Sequence, residues 1–340
     1  MLRRLAHGTG LAAAVLAVSG CVGLGAQRIE IDRADYTVRL RDSEKTELLS
    51  NIVALRFGDA PSFLSVASVI SQYTRETSGR MNLEFSPGDD SPGGVDGSVL
   101  FRETPTVTYT PMSGERFARS LLAPIPPASL LGMVEAGWAA DDLIRLSVRS
   151  VNGVRNGARA PLFAAPGDPA FGEVVEAMRR LQLSGGLSVR LVQHETTWSA
   201  SARLGERLSD QDQVDLDTLR RSLRLRAGGG DIRIVFAAEA AGDDELAIST
   251  RSMLEVLQEM SRGVDVAGDG VFDPQDLIRV HSGARPPPHP HVAVLRQGRW
   301  YWIEAEDEAS VRAFLLVQIL MSLNDDTAVT RSPLVTIPAG

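Results

Sequence analysis

Residues 168–193 read DPAFGEVVEAMRRLQLSGGLSVRLVQ. Phe171, Val174, Val175, Met178 and Leu181 recur at intervals of three and four residues, which places them on one face of an α-helix. Asp168-Pro169 provides a capping side chain and a first-turn proline, and Gly185-Gly186 ends the helix. From Ser188 to Gln193 the chain turns to β-favouring residues. A helix with a single apolar face must bury that face on another layer, and the strand beside it supplies one. The stretch therefore predicts an α/β or α+β fold, in which amphipathic helices pack on mixed sheets.

The same alternation extends in both directions. Downstream it predicts a helix over 211–223, a strand over 232–237 and a helix over 252–262. Residues 291–306 predict a hairpin turning at Gln297-Gly298. Asp307 then caps a helix whose segment Ala313–Met321 is nearly all apolar, with Phe314 and Leu315 expected inside and Arg312 and Gln318 at the exposed margin. Leu334–Ile337 predicts a last strand. Upstream, 29–31 and 36–40 alternate as a short edge strand after a polar tether, and Leu48, Leu49, Ile52 and Val53 mark a helix over 45–57. Strands are predicted at 63–70, 81–85, 99–101, 106–110 and 143–151, with an exposed Pro/Gly/Asp loop at 86–98. Helical spacing returns at 114–122, and a further helix begins near Pro127 and stops at Gly137. No repeat of 20 to 50 residues marks a solenoid or propeller. A division into two lobes is placed near 158–167.

The N-terminus carries a different kind of signal. Arg3 and Arg4 precede the apolar run Leu11–Val18, and the small residues Ser19-Gly20 stand before Cys21. That order is a secretory signal, and its apolar run is shorter than the roughly 20 residues a membrane span needs. Val18-Ser19-Gly20-Cys21 resembles the lipobox cut by the lipoprotein signal peptidase, which implies a diacylglyceryl group on the Cys21 thiol. Cys21 is the only cysteine, so the thiol has a use and no internal disulfide can form. Stable anchoring needs more than one acyl chain, each buried methylene contributing about 0.8 kcal/mol. Val22 stands where aspartate would signal inner-membrane retention in such proteins, so the resemblance implies the outer membrane. The chain thus divides into a signal peptide over 1–20, a lipidated N-terminus and tether over 21–44, and a periplasmic domain over 45–340.

Loss of Arg3 and Arg4 with the signal leaves 33 of the 35 basic residues against 43 acidic ones, a net charge of −10. This disfavours nucleic acid, whose binding draws on clustered Lys and Arg. The envelope membrane, reached through the lipid, and an envelope protein remain as partners.

Signatures of catalysis are sparse. There is no G-x-S-x-G elbow, and the residue three before Lys45 is Asp42, so a Ser-x-x-Lys pattern is missing too. His194-Glu195-Thr196-Thr197-Trp198 has tryptophan where a zinc peptidase has its second histidine. His289-Pro290-His291 offers two imidazoles with no nearby third ligand. The residues Asp265-Val266-Ala267-Gly268-Asp269-Gly270-Val271-Phe272-Asp273-Pro274-Gln275-Asp276 resemble an EF-hand or dockerin calcium loop. Ala267 and Asp276 depart from that pattern at loop positions 3 and 12, and the bland reading is an Asp/Gly surface turn. Asp89-Asp90, Asp141-Asp142 and Asp243-Asp244 read as solvated turns sooner than as a glycosidase pair. Gly228-Gly229-Gly230 precedes a strand and reads as a turn. No catalytic residue, metal ligand or cofactor is assigned from these patterns, and the enzyme question stays open, leaning towards no.

Four blocks carry a family resemblance: residues 51–73 (NIVALRFGDAPSFLSVASVISQY), 105–138 (PTVTYTPMSGERFARSLLAPIPPASLLGMVEAGW), 146–156 (LSVRSVNGVRN) and 292–323 (VAVLRQGRWYWIEAEDEASVRAFLLVQILMSL). They resemble a family of uncharacterised proteobacterial envelope lipoproteins, which implies location and carries over no catalytic residue. The leading expectation is a lipid-anchored structural, assembly or interaction component of the envelope. The rivals are an anchored cell-wall or polysaccharide hydrolase and a solute-binding lipoprotein.

Overall fold

The computed structural model describes residues 24–81, 95–160, 164–194, 197–204, 208–226 and 231–325. The fold is α+β, as the alternation predicts. It forms two compact units, residues 62–119 and the remainder of the chain, and residues 158–167 fall within the latter.

Helix α1, Leu24–Arg56, corrects the expectation for the N-terminal region. Residues 29–31 and 36–40, expected as an edge strand, lie inside it. Alternation over three to five residues is a weak signal, whereas the run from Ala26 to Arg56 lacks glycine and proline. A helix satisfies every interior backbone N–H within the segment, without the partner strand that an edge strand requires. Its last turns are core, with Leu48, Leu49, Ile52 and Val53 all buried.

In the smaller unit, β1 (Leu64–Met81) and β2 (Val95–Pro111) form an antiparallel hairpin paired from Leu64↔Pro111 to Met81↔Val95, with an irregularity at Val66/Ser68. The strands predicted at 63–70, 99–101 and 106–110 are therefore parts of two long strands, because the Ser, Thr and Arg between them continue the ladder. Asn82–Phe85 lie outside the described residues. The short helix α2, Gly114–Phe117, runs into a π-type turn at Ala118–Leu122.

The larger unit is built on a six-stranded sheet. Helices α3 (Pro127–Glu135) and α4 (Ala140–Ser147) lead into β3 (Val148–Val151) and β4 (Val154–Arg155). Then come α5 (Ala170–Ser184), β5 (Leu187–His194), β6 (Thr197–Leu204), α6 (Asp210–Leu223), β7 (Ile232–Val235) and β8 (Glu245–Thr250). The strand order is β4-β3-β8-β7-β6-β5, antiparallel throughout except for the parallel pair β7/β8. The predicted strand over 143–151 is half helix. Leu143 and Leu146 share a buried face, and Asp141 and Asp142 occupy the first turn, where the helix dipole favours acids. Strands β6 and β8 carry small and polar residues (TWSASARL, ELAIST), so apolar alternation did not reveal them.

Helix α7, Met253–Ser261, starts from a Ser252/Glu255 capping box. A second sheet follows, ordered β10-β11-β9 from β9 (His281–Gly283), β10 (Val292–Arg296) and β11 (Arg299–Ile303). Its β10/β11 hairpin turns at Gln297 (φ 49°) and Gly298 (φ 81°), the positive values of the expected tight turn. Helix α8, Glu308–Asp325, follows Asp307, whose carboxylate accepts from the Ser310 N–H (3.3 Å) and hydroxyl (2.6 Å). Phe314 is fully buried and its ring meets His291 edge-on at 5.8 Å. Leu315, expected inside, is 45% exposed. It sits about 100° around the helix from Phe314, away from the Phe314/Val317/Leu320 face. Arg312 is exposed as expected and pairs with Asp142 at 3.1 Å. The end of α1 and the following turn meet the hairpin, with Phe57 edge-on to Tyr301 at 6.0 Å and Arg296 paired with Asp59 at 2.5 Å. Leu334–Ile337 lie outside the described residues.

Candidate functional site: an apolar cavity and a polar cleft

Alternation along the described strand residues gives the sheet unlike faces. On one, Val148, Ala202, Leu246 and Ile248 point towards helices α3, α4 and α5. The helices do not close fully on the strands. Between them lies a cavity of about 320 Å³ walled by Leu130, Leu143, Val151, Met178, Leu246 and their neighbours. Among the described residues its walls carry no aromatic ring, and their polar side chains are few. The Ser147 hydroxyl donates to the Leu143 carbonyl at 2.5 Å. The Gln182 amide is held at both ends. Its oxygen accepts from Ala140 N (3.0 Å) and Arg179 (2.6 Å), and its nitrogen donates to the Trp138 carbonyl at 2.8 Å. Glu135, at the rim, is exposed.

A second hollow of about 370 Å³ has many charged and polar residues in its lining, among them Arg149, Asn156, Arg251, Glu255 and Glu259. Arg251 is buried and donates to the carbonyls of Arg145 (3.0 Å), Leu146 (3.0 Å) and Gly157 (2.9 Å). Burial pulls its guanidinium below the ordinary arginine value, against the attraction of Glu259 and Glu255. Glu259 accepts from the backbone N–H groups of Arg159 (2.5 Å) and Ala160 (2.7 Å). Glu255 caps α7 through Ser252 N (2.8 Å) and pairs with Arg149 at 2.6 Å. Beside the cleft, Gly157 and Gly167 lie back to back. A Cβ on Gly167 would meet Gly157 N at 2.6 Å, so neither position has room for a side chain. Every one of these cleft charges fixes a helix end or a loop.

Several buried acids elsewhere are engaged in the same way. Asp215 takes three hydrogen bonds from Arg180 (2.8–3.1 Å), which tie α6 to α5 and hold its carboxylate below the ordinary range. Asp212 lies lower too, through the hydroxyls of Ser184 (2.5 Å) and Ser209 (2.7 Å) and the Ser209 N–H. In the calcium-like loop Asp265 accepts from Gly268 N (2.5 Å) and Gly270 N (3.1 Å), and Asp269 from Val271 N (3.1 Å). Asp273 and Asp276 pair with Arg159 at 2.6 and 3.3 Å. The loop's carboxylates thus point at its own backbone and at arginine. Among the described residues no three His, Cys, Asp or Glu side chains gather as metal ligands would.

The remaining sequence candidates are scattered. His194 ends β5 and pairs with Thr197 at a hairpin tip, so the H-E-x-x-W segment is not the helix that zinc peptidases use. His289 sits in a turn (φ 58°), while His291 packs on Phe314 with its Nε2 buried and unpartnered. Burial, then Lys45, lowers the His291 pKa. Asp141 pairs with Arg179 and Asp142 with Arg312, on separate helices. The Asp243 and Asp244 carbonyls accept from Arg226 and Arg233 N–H groups. Cys21, Asp89-Asp90 and Gly228–Gly230 lie outside the described residues.

No family model, characterised protein or solved structure matches the chain. The geometry itself offers two separate hollows, one walled by aliphatic side chains and one lined by charged and polar residues. The sequence did not single out the cavity walls, because Leu, Val and Ile at core spacing look the same whether or not the layers meet. Arg251 and Glu259 were missed for a related reason: each stands alone in sequence among ordinary helix and strand residues.

Proposed function

We propose that this protein is an envelope lipoprotein, cut before Cys21, lipidated on that cysteine and held on the periplasmic face of the outer membrane. Its folded domain serves as a structural, assembly or interaction component. The observation that carries the reading is the succession Arg3-Arg4, Leu11–Val18 and Val18-Ser19-Gly20-Cys21 around the only cysteine of the chain. The envelope-lipoprotein resemblance of the four sequence blocks supports the same location. Among the described residues no helix is long and apolar enough to cross a membrane. Attachment through lipid needs none.

Helix α1 spans Leu24–Arg56. A helix of 33 residues is about 50 Å long, so it can carry the chain from an acylated end into the core at Leu48–Val53. The engagement of the buried acids in caps and ion pairs favours a binding or scaffolding role over acid–base chemistry. A second reading, a solute-binding lipoprotein, is favoured by the apolar cavity. Its pocket lies between sheet and helices, not at residues 158–167.

Incorporation of labelled palmitate tests the anchor. The parent should take up label, and Cys21→Ala should take up none and accumulate as an uncleaved or soluble periplasmic form. Label retained by Cys21→Ala would overturn the proposal.

A further inference from the structure

We propose that the cavity between the six-stranded sheet and helices α3, α4 and α5 is a binding site for a fatty-acyl chain. The inference rests on the cavity's own chemistry and stands whether or not Cys21 is lipidated. Folded interiors are packed about as densely as organic crystals, with few voids larger than a water molecule. A hollow of about 320 Å³ is far beyond such a void and lies at the lower end of the roughly 300–1,000 Å³ typical of small-molecule sites.

The walls decide the class of occupant. Leu130, Leu143, Val151, Leu246 and Ile248 present branched aliphatic surface from both layers. Among the described residues the lining has no aromatic side chain on which a planar ring could stack. A polar ligand fares no better. Ser147 already donates to Leu143, and the Gln182 amide is held by Ala140, Arg179 and Trp138. A ligand hydroxyl or amide carried inside would lose several water contacts and find little beyond the spare lone pairs of the Ser147 hydroxyl. A flexible hydrocarbon chain meets no such penalty, and it can follow an uneven aliphatic wall while regaining the dispersion contacts that an empty hollow forfeits. Exposed Glu135 at the rim leaves the head group in water.

Photolabelling of the full chain in cells tests the proposal. Cells are fed a fatty acid bearing a mid-chain diazirine and irradiated, and uptake is verified in bulk phospholipid. Adducts on the protein are then mapped by mass spectrometry. They are expected on peptides covering residues 127–147 and 178–189, and adduct mass distinguishes a free acid from an esterified lipid. Ala202→Phe, which fills the hollow from β6, should lower those adducts by about tenfold, as a loss of about 1.4 kcal/mol in binding would. Its melting temperature should stay near the parental value. Should that variant fail to fold, Ile234→Trp on β7 fills the same space from a half-buried position. Absence of adducts from both peptides would overturn the site, as would adducts that a folded filling variant leaves unchanged. Label at the Cys21 peptide reports separately on the anchor, so either reading can fail while the other stands.

Discussion

The layer formed by α3, α4, α5 and the large sheet differs instructively from the C-terminal block of β9–β11 and α8. Both are helix-and-sheet packings with apolar interiors. In the C-terminal block Phe314 is fully buried against His291, while Tyr301 meets Phe57 and Ile303 has no exposed surface. Aromatic rings fill the junctions there. In the other layer the facing side chains are Leu, Val, Ile, Met and Ala, and the space between them stays open. Similar apolar content thus yields a filled core in one place and a hollow in the other. Side-chain shape and helix placement make the difference, more than hydrophobicity does.

Mutations can break or sharpen that contrast. The largest effect is expected for Phe314→Ala, which should cost about 3–5 kcal/mol because a large ring is removed from a fully packed position. A variant that melts like the parent but loses capture of an envelope partner would make the block an interface instead. Leu143→Ala, in the wall of the hollow, should cost about 2 kcal/mol, the low end for a buried leucine, since one side of it already lacks neighbours. Denaturant titration of both variants measures the difference, and equal losses would remove the distinction between the two regions.

Between pH 7.5 and 5 a pH effect is expected in the C-terminal block. His291 has a lowered pKa, caused first by burial and then by Lys45. The unfolded chain therefore binds the proton before the folded one does. The His291 contribution should be complete above about pH 6.5 and decline as the pH falls through that value towards the folded pKa. Melts between pH 7.5 and 5 should show that decline, and His291→Gln should flatten it. Ala202→Phe should change stability by less than about 1 kcal/mol, because the added ring enters open space and avoids the overpacking penalty of a filled core. The smallest effect is expected where the calcium-like loop leads into the C-terminal block. Calcium should leave the melting temperature unchanged, since Ala267 offers no side-chain oxygen and Asp265 and Asp269 cap the loop's own N–H groups. A true site at 100 times its dissociation constant would stabilise the domain by about 2.7 kcal/mol. A shift of that size, abolished by Asp269→Ala, would show that the loop opens to bind the ion.

Much of the fold is legible in the sequence wherever a local pattern is also the physical cause. The helix over 170–184 follows from its apolar spacing, and Gly185 ends it with the left-handed backbone (φ 74°) that glycine tolerates. The β10/β11 hairpin follows from Gln297-Gly298. Asp168 is a partial case. It stands before the helix as predicted, yet its carboxylate accepts from Arg155 N at 2.8 Å and the helix has no side-chain cap. The errors fall where pairing overrides pattern. Glu245–Thr250 is a strand because β3 and β7 flank it, and Leu24–Leu40 is helix because it continues α1 without a break.

The sequence alone carries the proposed secretory signal and the solitary Cys21, and it determined the placing of most helices and turns, since each depends on residues adjacent in the chain. Only the tertiary structure decided that Arg251 would be held by three backbone carbonyls and that the carboxylates of residues 265–276 would turn to backbone and arginine. It alone decided, too, that α3, α4 and α5 would stand off the sheet. Those outcomes depend on distances between segments far apart in the chain. Hydrophobic periodicity specifies which face of a helix turns inward, but it does not specify how closely that face meets the next layer.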